Sequence, residues 1–366
     1  MIVGIPKEIK QQESRVAMVP SGVAQLVRAG TEVVVECGAG RDADYQDQEY
    51  LAAGAQLVGR HEEVFERADL IVKVKEPLDS ELPLLRKNHL LFTYLHLAAS
   101  RKLTEGLLAS GCTAIAYETV SLGGRLPLLE PMSEVAGRMS VLVGAYFLAK
   151  HEGGRGTLLG GVPGVLPGRV VVLGGGTCGI NAAKVATGIG AETIILEIDH
   201  DRMRFLDDTL EAAQTLYSSE AALLDLLPRT DLLIGAVLVP GAKAPKLVTR
   251  EMLRAMRNGT VVVDIAVDQG GCIETTRPTT HQDPIFTEEG VIHYCVANMP
   301  GAYARTSTQA LTNVTFRYVQ WLSRHGLGAT CQMHPELKRG INCQDGELTC
   351  EGVAQAHGLH WREPLF

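Results

Sequence analysis

The sequence predicts an α/β protein made of two doubly wound domains with parallel sheets. Three observations carry this reading: the length, the alternation of short β-branched runs with helical stretches, and a Gly/Pro-rich break near the middle. The chain has 366 residues, and at roughly 100–200 residues per domain two domains are expected. Hydrophobic residues make up 46% of it and aromatics only 5%, so the core is aliphatic. With 21% charged residues the chain can bury enough apolar surface to fold. Its 34 basic and 42 acidic side chains give a net charge of −8. Nucleic acid or an anionic membrane would require a basic field, so neither is expected as a partner.

The elements follow in order. In the first third the segments 2–5, 32–36, 70–74, 90–95 and 113–117 read as strands. Segments 22–29, 47–53, 62–67, 80–86 and 102–109 read as the helices between them. Residues 132–150 form one long apolar helix, suited to link two domains or to face another subunit. The stretch GGRGTLLGGVPGVLPG at 153–168 is turn-forming. The alternation then resumes, with strands at 169–173, 193–197, 232–237, 261–265 and 293–296. Helices are expected at 178–189, 202–208 and 308–323. No apolar run approaches the roughly 20 residues of a membrane helix. Lys7, Glu8 and Lys10 interrupt the opening too early for a signal peptide. The eight cysteines are scattered without a CxxC pair, which favours reduced thiols in a cytoplasmic protein over a zinc or redox framework.

The most specific motif is VVVLGGGTCG at 170–179. Gly174, Gly176 and Gly179 stand in GxGxxG spacing, directly after an apolar strand and at the mouth of a helix. The first glycine permits a tight turn, the second admits a pyrophosphate, and the third lets helix and strand pack closely. Helix amides then meet the phosphate charge. The next strand ends in Glu197, at the spacing where a carboxylate accepts hydrogen bonds from the adenosine ribose. That carboxylate would also repel the extra phosphate of NADP, so NAD is the expected cofactor. Asp199 is a nearby alternative, and Arg202 is a basic residue able in principle to hold a 2′-phosphate.

Cations gather at predicted strand ends in the first third, where a parallel sheet places its site. Lys73 and Lys75 lie in IVKVKEP, with Lys75 nearer the strand end, and His96 ends LLFTYLH. Arg15 sits in the loop ESRVAMVP. A guanidinium can grip a carboxylate, a lysine can polarise a carbonyl, and a histidine can move a proton near neutral pH. Taken singly, each also suits a bland role: a solvated strand end, a core histidine, a surface charge.

Longer blocks make the pattern specific. GIPKEIK, ESRVAMVP, VKVKEP, LFTYLHLAA, LPLLEPMSEVAGRMS, GAVLVPGAKAPKLVT, VDIAVDQGGC and YCVANMPGAYARTSTQALTN are among them. Together they resemble the bacterial alanine dehydrogenase family, from Met1 to about Val353. The resemblance implies reversible oxidative deamination of L-alanine to pyruvate and ammonia with NAD, in a homohexamer. It places Arg15 and Lys75 on the substrate and makes His96 the acid/base. Asp268 matches the second catalytic group, with Asp264 as its competitor. For the cofactor it implies Ser133, the glycine loop with Thr177 and Cys178, Glu197, Arg202 and Ser218. Val237, Leu238, Ile265, Ala266, Val267, Asp268, Arg277, Val296, Ala297, Asn298 and Met299 would line the nicotinamide end.

Two positions depart from the family pattern: Cys178 replaces a commoner alanine, and Glu197 a commoner aspartate. Glu118 and His325 match positions that hold a divalent ion in some relatives, but two residues are a thin basis and no metal is expected. The soluble NAD(H)-binding portion of a proton-translocating transhydrogenase is the alternative, since it shares the opening motif. The LHLAA, ANMPGA and RTSTQALTN blocks argue against it, as does the lack of an appended hydrophobic domain. A scaffold that lost catalysis is disfavoured because Arg15, Lys75, His96 and Asp268 stand together. The resulting expectation is a Rossmann-like NAD domain at 129–306, inserted into a substrate domain of 1–128 and 307–366, with the active site in the cleft between them.

Overall fold

The structure, a computed structural model, describes residues 1–237 and 244–366. Two compact units make it up: Met1–Met132 with Gly301–Phe366, and Ser133–Pro300. The strands of the chain's first third are β1 (Ile2–Ile5), β2 (Glu32–Glu36), β3 (Gln56–Val58), β4 (Leu70–Val72), β5 (Leu90–Thr93) and β6 (Thr113–Ala116). The second unit holds β7 (Arg169–Leu173), β8 (Glu192–Glu197), β9 (Ala213–Tyr217), β10 (Leu232–Gly235), β11 (Val261–Asp264), β12 (Ile285–Glu288) and β13 (Val291–Tyr294). The chain then returns to the first unit with β14 (Ile341–Gln344) and β15 (Glu347–Leu348).

In the first unit the sheet runs β3-β2-β1-β4-β5-β6-β14-β15, and in the second β9-β8-β7-β10-β11-β13-β12. Both are doubly wound orders, in which the chain moves outward from β1 or β7 and then reverses. Strand composition explains why both faces are covered. Val33 and Val35 of β2 enter one apolar cluster and Val34 the other. In β7, Val170 and Val172 face one cluster while Val171 and Leu173 face its opposite. Such two-sided burial is the mark of parallel strands wrapped by helices. Close wrapping shows at Gly4 of β1, where an added Cβ would stand 2.6 Å from Ala68 Cβ and 2.9 Å from Val64 Cγ1.

The doubly wound parallel core is as expected, and each sheet adds an antiparallel edge that periodicity did not show. β14 pairs antiparallel with β6 and β15, and β12 with β13. These edge strands are short and irregular, and β12 and β9 are only partly buried, so their hydrophobic signal is weak. The helix expected at 80–86 is only a 3-10 turn, Leu82–Leu84, because Pro83 interrupts it. The last long helix, expected at 308–323, covers Ala304–Met333, with a non-helical break at Gly326 (φ 74°, ψ 172°).

Leu311 on that helix is fully buried in the first unit's core. Leu311→Ala should cost about 2–5 kcal/mol, read as a lower urea midpoint. A midpoint equal to wild type would mean the helix does not pack as described.

Candidate active site

A doubly wound sheet parts its loops where the winding reverses, and ligands settle beyond the carboxyl ends of the strands there. In the first unit that point lies between β1 and β4. The segment after β1 carries Glu8, Glu13 and Arg15, the segment after β4 carries Lys73 and Lys75, and β5 leads to His96. Fold order alone therefore gathers residues 58 to 88 positions apart in sequence.

Arg15 is 2% exposed. Its Nε donates to Glu13 Oε1 at 2.7 Å and its Nη2 to Glu13 Oε2 at 2.5 Å. Its Nη1 lies 3.0 Å from Met132 Sδ. Burial pushes the Glu13 carboxyl up, but the Arg15 charge and hydrogen bonds overcome it and hold it at about 2. The two lysines differ sharply. Lys73 Nζ is wholly buried between Glu8 Oε2 at 3.1 Å and Glu81 Oε1 at 2.8 Å. Among the described residues no carboxylate pairs with Lys75 Nζ within 4.0 Å. Burial lowers the Lys75 amine below its ordinary value, and the neighbouring Arg15 charge lowers it further. Lys73 is thus neutralised by two carboxylates, whereas Lys75 has no such ion pair among the described residues.

His96 takes the opposite setting, with its side chain 47% exposed. Its backbone is left-handed (φ 49°, ψ 41°), a conformation that costs free energy and recurs at functional positions. The Glu118 carboxylate holds it there, accepting from the His96 amide at 2.6 Å and the Leu95 amide at 3.2 Å. The imidazole stacks on Tyr94 with centroids 5.9 Å apart, and the Tyr94 hydroxyl donates to the Leu128 carbonyl at 2.5 Å. Glu118 is therefore occupied with backbone amides. Among the described residues no group of three metal-ligating side chains is assembled.

In the second unit the reversal lies between β7 and β10, and the glycine loop fills it. Gly174 has φ +90°, and a Cβ there would meet the Ala236 carbonyl and Val237 Cγ2 at 3.1 Å. A Cβ on Gly179 would run into the Gly174 carbonyl, so this glycine lets the helix Thr177–Gly188 seat on β7. A Cβ on Gly176 would meet nothing within 4 Å. The three glycines thus divide into turn, open approach and packing. Ser133 hydrogen-bonds Cys178, whose thiol burial pushes up to about 11, so it stays protonated.

Glu197 ends β8 and turns back on the loop, its Oε2 accepting from the Gly175 amide at 2.8 Å. Its Oε1 accepts from Ile198 at 2.7 Å and Asp199 at 3.1 Å. Asp199, the nearby alternative, caps the following helix, its Oδ1 accepting from the Arg202 amide at 2.8 Å. Arg202 Nε donates to the Gly175 carbonyl at 2.6 Å. The Ser218 amide donates to the Glu197 carbonyl at 2.8 Å.

The rest of the expected cofactor set is partly covered. Val237 is half-buried beside Gly174, and Leu238 lies outside the described residues. Ile265, Ala266, Val267 and Asp268 form the 3-10 turn Ile265–Gln269, with only Asp268 exposed among these four or partly so at Ile265. Asp264 is fully buried and accepts from Ala266, Cys272, Ile273 and Thr276, which makes it the anchor of that turn and not a free carboxylate. Arg277 is exposed over the Phe286 ring at 4.2 Å. Val296 and Met299 are buried, Ala297 and Asn298 half-buried, and Asn298 has φ +68°.

Glu8, Glu13, Tyr94 and Glu118 went unread in the sequence as supports. Glu13 alone left a signal, as the carboxylate two residues before Arg15. A further support is His61, whose Nδ1 lies 2.7 Å from Glu36 and whose Nε2 lies 3.2 Å from Glu81. Burial lowers its pKa, but the bonds to both carboxylates raise it to about 9.

Because the folded pKa of His61 exceeds its ordinary 6.5, the charged imidazolium stabilises the fold fully below about 6.5. That contribution should fade as pH rises through about 9, and His61→Gln should flatten this alkaline slope in Tm measurements. In the glycine loop, Gly179→Ala should lower Tm, whereas Gly176→Ala should keep Tm and weaken dinucleotide affinity at least tenfold, roughly the loss from one blocked approach. Equal Tm losses at the two positions would refute the division of labour.

The chain matches two family models: Alanine dehydrogenase/PNT, N-terminal domain, over residues 4–136, and Alanine dehydrogenase/PNT, C-terminal domain, over 140–351. An alanine dehydrogenase of Methanococcus maripaludis is 52% identical over 362 residues, covering 98% of this chain and 97% of its own. A solved L-alanine dehydrogenase superposes with a TM-score of 0.94 at 50% identity, covering 98% and 99% of the two chains. A transhydrogenase from Sinorhizobium meliloti superposes at 0.82 with 25% identity, covering 95% and 100%. On full-length identity and both domain matches, the chain belongs to the alanine dehydrogenase/PNT family.

Proposed function

We propose that the protein is an NAD-dependent alanine dehydrogenase, interconverting L-alanine with pyruvate and ammonia. One observation carries the reading to this chain's own residues: a buried lysine amine without an ion-pair partner among the described residues lies near a buried arginine, at strand ends that also present an exposed histidine. A small 2-oxo or 2-amino acid offers a carboxylate and a carbonyl or amine to those three groups. The transhydrogenase alternative is less well supported, its relative being 25% identical against 50% for the L-alanine dehydrogenase.

In this reading the unit of residues 1–128 and 307–366 handles the substrate and residues 129–306 bind the cofactor. Arg15 binds the substrate carboxylate through its planar guanidinium. Lys75 donates to the substrate oxygen and stabilises the negative charge that develops there. Its lowered pKa is what burial beside Arg15 produces. His96 moves the protons required when water adds to the oxidised substrate and ammonia leaves, a task suited to an imidazole, whose ring nitrogens can both accept and donate a proton. Asp268, exposed on its turn, serves as the second catalytic group.

NAD, when bound, supplies the two-electron acceptor. The open approach at Gly176 and the helix amides of Thr177 and Cys178 suit its pyrophosphate, with Gly174 and Gly179 shaping the loop. Glu197 would take the adenosine ribose, with Ser133, Arg202 and Ser218 around it. A carboxylate at that place disfavours NADP, and Arg202 is already committed to the Gly175 carbonyl. Val237, Leu238, Ile265 to Asp268, Arg277 and Val296 to Met299 would line the nicotinamide end.

The chain assembles as a homohexamer in this reading. Exposed apolar side chains support self-association: Leu142 and Tyr146 on the helix Glu130–Phe147, and Leu158, Val162, Val165 and Leu166 in the loop after it. All eight cysteines are free, which suits the reducing cytoplasm.

Purified protein should consume NADH when given pyruvate and ammonium, followed by loss of NADH absorbance, and should prefer NADH to NADPH. His96→Ala should lower turnover by about 10²–10⁴-fold with NADH affinity near wild type. Wild-type protein inactive with every 2-oxo acid tested would sink the assignment.

A further inference from the structure

Lys75 has no ion pair among the described residues to fix it, yet a substrate site needs its amine in one place. The fixing comes from the backbone. Glu8 Oε1 accepts from the Val74 amide at 2.6 Å and from the Lys75 amide at 3.3 Å. The same carboxylate binds Lys73 through Oε2 at 3.1 Å. Lys73 in turn binds Glu81, Glu81 binds His61, and His61 binds Glu36. Glu36 Oε2 closes the chain by accepting from the Lys7 amide at 2.7 Å, next to Glu8 itself. Glu8, Lys73 and Glu81 are 6%, 0% and 1% exposed.

At its Glu8–Lys73 end this buried network is a poor stability device, because desolvating the two charges offsets most of their attraction. Burial in fact pushes the Glu8 carboxyl above its usual range despite Lys73. A charge pair that returns little stability but ends on the amides of the substrate lysine has a positional use. We propose that Glu8 is a positioning residue, whose carboxylate fixes the 73–75 backbone and thereby aims the Lys75 amine at the substrate. This rests on the role given to Lys75 above. Glu8 itself touches no reacting group. Its second oxygen draws Lys73 away, so of two lysines two residues apart only one is presented.

The test compares two double variants that both remove the Glu8–Lys73 charge pair. Glu8→Gln with Lys73→Met keeps an oxygen for the two amides, and Glu8→Leu with Lys73→Met does not. Apolar replacement of buried pairs is generally tolerated, and Tm checks folding. Where the leucine variant does not fold, Glu8→Asp, one methylene short of the amides, replaces it. Two readouts are taken: kcat and KM for pyruvate, and the rate at which acetic anhydride labels Lys75 across pH, by mass spectrometry, with exposed Lys184 as control.

The leucine variant should lose kcat/KM on the order of 10²-fold, with KM raised, and its Lys75 labelling should change severalfold while Lys184 is unaffected. The glutamine variant should recover most of both. Equal behaviour of the two folded variants in kcat/KM, or wild-type labelling of Lys75 in the leucine variant, would overturn the proposal. A wild-type protein without turnover would fail the alanine reading alone, since the labelling comparison judges Glu8 independently.

Discussion

The reversal of winding in each sheet is the constraint on which the rest depends. Parallel strands need crossovers, the crossovers cover both faces, and only where their direction changes do two neighbouring strand ends part. In the first unit β1 and β4 part there, and in the second β7 and β10. Arg15, Lys75 and the glycine loop sit on segments after these strands, and His96, Glu197 and Asp268 at or after the ends of the next ones, β5, β8 and β11. The aliphatic composition of the strands is thus the first cause of the site, because it forces two-sided burial and with it the doubly wound order.

Each unit then meets the same electrostatic problem with different means. The first collects cations and must keep them apart. It does so with carboxylates of assigned reach: Glu13 on Arg15, and Glu8 and Glu81 on Lys73. The second collects backbone dipoles, and Glu197, the carboxylate that braces the loop, accepts from three backbone amides. Charge in the first unit and backbone geometry in the second give sites of different character on the same winding.

Much of this was legible in the sequence because it rested on local rules. The strand 169–173 and the glycine spacing follow from β-branched runs and from turn stereochemistry, and both lie where expected. Lys73 and Lys75 shared one pattern, and only the carboxylates of Glu8 and Glu81, 65 and 8 residues from Lys73, separate them. Asp264 and Asp268 likewise looked alike until four hydrogen bonds tied the former into its turn. Edge strands β3, β9 and β12 escaped because partial burial erases the alternation that announces a strand, β15 because it is two residues long, and buried β14 because Asn342 and Gln344 interrupt its apolar pattern. Long-range pairing is what sequence periodicity does not encode.

The double engagement of Glu197 bears on how this protein can change. Its carboxylate braces the glycine turn through Gly175 as well as standing where the proposed function puts the adenosine ribose. Replacing it to admit a larger, more negative cofactor would remove a brace along with a repulsion. Altered cofactor choice is therefore coupled to loop order at this residue. The easier route runs through the neighbouring helix start, where Arg202 donates to the Gly175 carbonyl and Asp199 caps the helix through the Arg202 amide.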